Sequence, residues 1–412
     1  MTFLLRINIM PSKLSEEIAP FFVMDVLERA KEIEAQGNRV IHFEIGEPDL
    51  PTPKIICDEA IEAIRVGDTK YTPSLGIPEL REAIAEDYKE KYGVNITPGR
   101  VVITSGSSPA LFLSMLSLLE HEDEVIITDP HYSCYPQIIK VAGGLPKRVR
   151  IYEEDGFQID IDSLKKTISN KTKAIVINSP SNPTGVVLEP NVIKEISELG
   201  LYVISDEIYH GLVYEGKAHT IFEFTDKAFS VNGFSKLYSM TGWRLGYFIA
   251  PEDFIRPIQK LQQNLFISPN PFVQRAGVAA IRKARREAKE MVQIFSERRK
   301  KMIEGLRGLG FVIRSEPKGA FYVFVNAKSL NDRSQELAFD ILDKSHVAVT
   351  PGIDFGYGGE GYLRFSYTTS LDDIEEGIKR LGEYIKKKNS EVRIQKTEEK
   401  LHPPMNSSGT DS

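Results

Sequence analysis

Cysteine is scarce in this chain. Cys57 and Cys134 are the only two among 412 residues, and they stand in unrelated contexts, which excludes a disulfide framework. The seven histidines are scattered and form no spaced cluster with those thiols, so no metal centre is expected. Long apolar runs are missing as well. No stretch reaches the roughly 18 uncharged apolar residues that a membrane-crossing helix needs. The opening ten residues are short for a signal peptide and lack a small-residue cleavage site, so the expected compartment is the cytoplasm. Positive charge is in slight deficit, and a net charge of −6 offers no footprint for nucleic acid. The one basic cluster, Arg282 to Arg286, is interrupted by Ala284 and followed by Glu287, as on a solvated helix face.

What is present is a hydrophobic fraction of 41 %, enough for a chain of this length to build two packed domains. Strand-like runs at 101–104, 125–128, 174–178, 201–205 and 228–231 alternate with helical patterns such as 109–119 and 192–199. Near-continuous apolar strands between helices predict an α/β fold with a mainly parallel sheet covered on both faces, its ligands at the carboxyl ends of the strands. Upstream, apolar residues recur at helical spacing over 18–35 and Gly37 stops the pattern, before a strand at 40–45. Downstream of 250 come a charge-rich helical stretch over 271–309, strands at 311–314 and 321–325, and a last helix ending near Lys388. The composition of 389–412 reads as a disordered tail.

The stretch from Gly233 to Gly246 lies between two strand-like runs, 228–231 and 247–250. Most lysines are solvated surface groups. Lys236 instead follows Ser235 among Phe234, Leu237, Met240, Trp243 and Leu245, with Arg244 eight positions on. An amine in such surroundings loses hydration and deprotonates more easily, as a Schiff-base lysine requires.

Other polar groups also follow strand-like runs. Ser105, Gly106, Ser107 and Ser108 precede a helical pattern, where free amides either hold a phosphate or form a plain cap, and no Walker lysine is present. Tyr132 lies in a turn after 125–128, and Asn182 opens an Asn-Pro-Thr-Gly turn after 174–178. The run 201–205 leads into Asp206, Glu207, Ile208 and Tyr209, and a carboxylate at the end of a buried strand is costly unless paired. Gly46 begins an irregular loop with three prolines, Tyr71 stands in a loop before a proline-started helix, and Arg364 sits in a strand of alternating polarity.

Ser235 and Lys236, followed by the run from Gly242 to Gly246, resemble the pyridoxal-phosphate lysine signature of the class I and II aminotransferases, in the aspartate aminotransferase-like branch. The remaining motifs stand in the family's order across residues 20–388. The resemblance implies a fold-type-I enzyme with a large domain over 51–299 that binds pyridoxal 5'-phosphate. A smaller α+β domain would come from both chain ends, 20–50 and 300–388, after an extension over 1–19.

By the same resemblance Lys236 holds the cofactor as a Schiff base and serves as acid and base. Asp206 pairs with the pyridinium, Tyr209 and Asn182 reach the phenolic oxygen, and Tyr132 stacks on the ring. Gly106, Ser107, Ser108, Ser235 and Arg244 hold the phosphate, joined by Tyr71 from a neighbouring subunit, so a homodimer is expected. Arg364 clamps the substrate α-carboxylate with help from Gly46 backbone and Asn182.

The implied reaction moves an amino group between an amino acid and a 2-oxo acid, with 2-oxoglutarate expected as one partner and aspartate-type or broad specificity. Members that prefer dicarboxylic substrates place a lysine in the turn that here reads 105–108, and none stands there. A carbon-sulfur lyase eliminating at Cβ could use the same lysine, arginine and aspartate. An effector-binding module of a transcription regulator is disfavoured, because only about 20 residues precede the match and nothing suggests a DNA-binding domain.

Overall fold

A computed structural model describes residues 11–401. The chain enters through a helix, Phe22–Ala35, whose apolar positions Val23, Val26, Ala30 and Ile33 are buried, and a two-residue strand β1, Ile41–His42. Seven further strands build the central sheet: β2 (Val101–Thr104), β3 (Glu124–Asp129), β4 (Leu145–Arg150), β5 (Thr172–Asn178), β6 (Tyr202–Asp206), β7 (Ala228–Gly233) and β8 (Gly246–Ile249). Their spatial order is β2-β8-β7-β6-β5-β3-β4. All neighbours run parallel except β8, which is antiparallel to both β2 and β7.

Every residue of β2 and β8 is buried, because helices cover both faces of the sheet and leave no solvent-facing side for polar alternation. The crossovers include helices Ser107–Leu118, Cys134–Val141 and Pro190–Ser197. The sequence expectation of a mainly parallel, doubly covered sheet is therefore met. It missed β4, an edge strand of sequence Leu-Pro-Lys-Arg-Val-Arg with three exposed residues, which looks polar because half of it faces water.

The second part of the fold uses both ends of the chain. Strands β9 (Tyr322–Asn326), β10 (Val347–Ala348), β11 (Thr350–Pro351) and β12 (Tyr362–Ser366) follow the central sheet. β11, β12 and β9 form an antiparallel sheet, while β10 pairs in parallel with β1 from the other end of the chain.

Four expectations need correction. The strand expected over 40–45 is only β1, because the residues beyond it leave the ladder to form the loop at Gly46. Residues 311–314 form no strand; Val312 makes one isolated bridge to Asn326. The helical stretch after 271 is two helices, Pro271–Lys283 and Arg285–Gly308, separated at Ala284. The basic cluster at this break is tied to neighbouring helices, with Arg282 on Glu86 at 2.9 Å and Lys283 on Glu59 at 2.8 Å. Finally, the last helix runs Leu371–Leu401, so 389–401 is helical rather than a disordered tail, and the remainder of that expectation lies outside the described residues. No helix among the described residues is long and apolar enough to cross a membrane.

Candidate active site

The parallel strands end on one side of the sheet, and their terminal turns converge there on a cavity of about 330 Å³. Lys236 lies in the connection between β7 and β8, whose close approach is fixed by the pairing of Gly233 with Gly246. Its Nζ donates to the Gly46 carbonyl at 2.8 Å and stands 5.7 Å from the centroid of the Phe321 ring. Burial lowers the ammonium to about 8, opposed by the nearby Glu47 carboxylate.

Asp206 closes β6 and is 5 % exposed. Its Oδ2 accepts from the Tyr135 hydroxyl at 2.6 Å and its Oδ1 from the Ile208 amide at 3.3 Å. Burial still pushes the carboxyl up to about 6, against these hydrogen bonds. The next residue, Glu207, points the other way. It accepts from the Ser205 and Thr220 hydroxyls and the Ile221 amide, each at 3.0 Å, and from Tyr88 at 3.1 Å.

Asn182 is held by its own turn, its backbone amide donating at 2.8 Å to Oδ1 of Asn178, whose Nδ2 donates to the Asp206 carbonyl at 2.9 Å. Its side-chain Oδ1 accepts from Arg364 Nη1 at 2.8 Å. With that oxygen engaged, Asn182 offers its Nδ2 as a donor.

Arg364 comes from β12 and is 4 % exposed. Its Nη2 donates to the Thr350 hydroxyl at 3.1 Å and to the Glu44 carbonyl, while its buried Nε has no partner. The guanidinium stacks 4.3 Å from the Tyr322 ring centroid and 4.9 Å from that of Phe355. Tyr322 also shares a hydrogen bond of 2.8 Å with the Tyr209 hydroxyl.

At the other end of the cavity, Ser107 and Ser108 begin the helix Ser107–Leu118, and Ser235 and Arg244 line the same wall. Gly106 precedes that helix at φ +103°, and a Cβ there would lie 2.4 Å from Arg244 Nη2. Gly106→Ala is therefore expected to cost about 1–3 kcal/mol from backbone strain alone and to displace the guanidinium. Chemical denaturation of the variant checks the first effect, and an unshifted midpoint would contradict it. Gly46 is equally confined, since its Cβ would sit 2.1 Å from the Tyr322 hydroxyl.

The structure thus brings Gly46, Ser107, Ser108, Tyr132, Asn182, Asp206, Tyr209, Ser235, Lys236, Arg244 and Arg364 to one cavity, with Gly106 beside it. Tyr71 is not among them: it does not line the cavity and is 82 % exposed. Sequence reasoning missed Tyr135 and Tyr322. Tyr135 lay in the turn already singled out at Tyr132 and Tyr322 at the start of the strand expected over 321–325, but nothing in the sequence says which tyrosine hydroxyl finds Asp206 or Tyr209.

Tyr135 supplies a pH test. In the cofactor-free protein the folded carboxyl of Asp206 titrates above its ordinary 3.8, so folding takes up a proton between about 4 and 6 and stability falls as pH rises through that window. The Tyr135 hydrogen bond favours the ionised form. Tyr135→Phe should raise the Asp206 value by up to about one unit and carry the loss of stability to higher pH. Urea denaturation as a function of pH measures this, and a profile identical to wild type would remove Tyr135 from that role.

Comparison with known proteins identifies the family. The family model described as aminotransferase class I and II matches residues 38–381. The chain belongs to that family. Among class I and II aminotransferases, a (5-formylfuran-3-yl)methyl phosphate transaminase from Methanocaldococcus jannaschii is 44 % identical over 371 residues, covering 89 % of this chain and 97 % of that one. An aspartate aminotransferase from Pyrococcus horikoshii is 40 % identical over 367 residues, covering 87 % and 93 %. A solved structure of Thermus thermophilus aspartate aminotransferase with maleate superposes with a TM-score of 0.87 at 33 % identity, covering 91 % and 99 %. The chain is thus an enzyme of the aminotransferase class with that family's α/β fold.

Proposed function

We propose that this chain transfers an amino group between an amino acid and a 2-oxo acid, with pyridoxal 5'-phosphate held at Lys236. The observation that carries the reading is the meeting, in one cavity, of a lysine of lowered basicity, a buried carboxyl and a buried arginine from three distant parts of the chain. The residues fit the cofactor in three respects. Asp206 is a buried carboxyl with no ion pair among the described residues, which suits a protonated ring nitrogen. Gly106 leaves room against Arg244 at a helix start, which suits a phosphate. Asn182 Nδ2 and the Tyr209 hydroxyl supply donors for a phenolic oxygen.

When bound, pyridoxal phosphate supplies an aldehyde carbon that condenses with amines and a ring that withdraws electrons from the bond being broken. The chain's residues do the rest. Arg364 supplies the cation for the substrate α-carboxylate: its guanidinium lines the cavity, with three of its five N–H groups engaged by neutral oxygens and none by a carboxylate among the described residues. The Gly46 backbone lies beside that position. Lys236, poised near neutrality, takes the Cα proton and returns it on the cofactor side. Asp206 would keep a proton on the ring nitrogen. Tyr132 would pack against the ring, and Ser107, Ser108, Ser235 and Arg244 would hold the phosphate so that the cofactor stays between half-reactions.

Tyr71 fits a role in a neighbouring subunit's site, which makes the working unit a homodimer; its exposure outside its own cavity supports this. The cytoplasm is the compartment that agrees with the reading. The test is reconstitution with pyridoxal phosphate, followed by assay with amino acids and an acceptor oxo acid, 2-oxoglutarate included. New amino acid formed only when both substrates are present supports it. Pyruvate and ammonia released from a cysteine conjugate without any oxo acid would assign elimination instead.

A further inference from the structure

Six charged residues line the cavity: Glu44, Glu47, Asp206, Lys236, Arg244 and Arg364. On the reading above, each cation already has a partner. Lys236 holds the cofactor, Arg244 faces the phosphate turn, and Arg364 takes the α-carboxylate. Among the described residues of this chain that line the cavity, no cation is left for a second carboxylate, so only a neighbouring subunit could supply one. Glu47 works against a second carboxylate, since it is exposed beside Lys236 and, among the described residues, its own is met only by the Thr241 hydroxyl. A like charge brought beside it is repelled.

The rest of the wall is apolar where the chain enters the helix Phe22–Ala35. Phe21, Val23 and Met24 all line the cavity. Phe21 stands edge-on to Tyr132, with ring centroids 6.4 Å apart at 82°. The Phe22 amide pins this turn by donating to Asp354 Oδ1 at 3.0 Å. Val23 is 4 % exposed and Met24 43 %, so the apolar strip runs from the interior to the mouth.

Resting on the aminotransferase reading, we infer that the preferred amino acid carries an uncharged apolar or aromatic side chain, seated against Phe21, Val23 and Met24. Aspartate, glutamate and their oxo acids are the poorer substrates. The names of the aspartate aminotransferases among the relatives would suggest the reverse, so the two expectations separate cleanly.

The experiment uses the full, cofactor-loaded chain without oxo acid and follows its visible absorption band after mixing with phenylalanine, leucine, alanine, aspartate or glutamate. Phenylalanine or leucine should convert the band with at least about tenfold higher kcat/KM than either dicarboxylic amino acid. Calorimetric titration gives a second readout, in which 3-phenylpropionate should bind more tightly than maleate. Met24→Arg should raise kcat/KM for aspartate and glutamate about tenfold relative to that for alanine. Dicarboxylic amino acids that match or exceed the apolar ones, or maleate binding more tightly, would overturn the inference. No gain for dicarboxylates in a Met24→Arg variant that still converts alanine would remove residues 21–24 from the side-chain seat. A band that persists with all five amino acids would instead bring down the aminotransferase reading, and this inference with it.

Discussion

Lys236→Ala is expected to lower turnover by at least about 10⁴-fold, because on the proposed mechanism one side chain would both anchor the cofactor carbon and move the substrate proton. The variant should still bind pyridoxal phosphate, since Asp206, Arg244 and the turn at Gly106 do not depend on the amine. Its absorption should match that of non-covalently held cofactor, and added alkylamine should restore part of the activity by supplying a base to the vacated space. An unchanged visible band would show that another group holds the cofactor. Among the described residues the Lys236 Nζ meets only the Gly46 carbonyl and the Phe321 ring, so the fold should survive the change.

The second large effect is at Arg364. Truncation to alanine removes a buried guanidinium that ties Asn182, Thr350 and the Glu44 carbonyl together and stacks on Tyr322. Loss of one partner from a buried charged pair typically costs about 2–5 kcal/mol, which is roughly 30-fold to several thousand-fold in kcat/KM. The loss should appear mainly in KM and should be alike for every amino acid, because the α-carboxylate is common to all. A defect confined to aspartate and glutamate would mean that Arg364 reads the side chain. Arg364→Lys should recover little, since an ammonium cannot reproduce the planar fork or the ring stacking.

Most of the central sheet was legible because strands buried on both faces write themselves as short apolar runs: 101–104, 174–178 and 201–205 each lie within or overlap an observed strand. The positions of Asp206, Asn182 and Ser107 followed from that, as each comes at or just after a strand's carboxyl end. Which of two adjacent acids faces the cavity was also physical. Successive residues of a strand point to opposite sides, so Asp206 turns to the site and Glu207 to its hydroxyl cage. Less was legible where tertiary contacts decide. β4 hides in a basic sequence, and β1 is cut short by the loop that delivers Gly46. The hydroxyl pairs Tyr135 with Asp206 and Tyr209 with Tyr322 join residues 71 and 113 positions apart. No local pattern encodes a contact of that range.

The parallel pairing of β1 with β10 also fastens the two ends of the chain to each other. Asp206, Lys236 and Arg244 all precede residue 250, at the end of β6 and between β7 and β8. The Glu44 carbonyl and Arg364 are separated by 320 residues and meet only after β10 and β12 have docked. The proposed cofactor side of the cavity is thus built within the central sheet, whereas the proposed substrate clamp exists only where the two ends of the chain are joined.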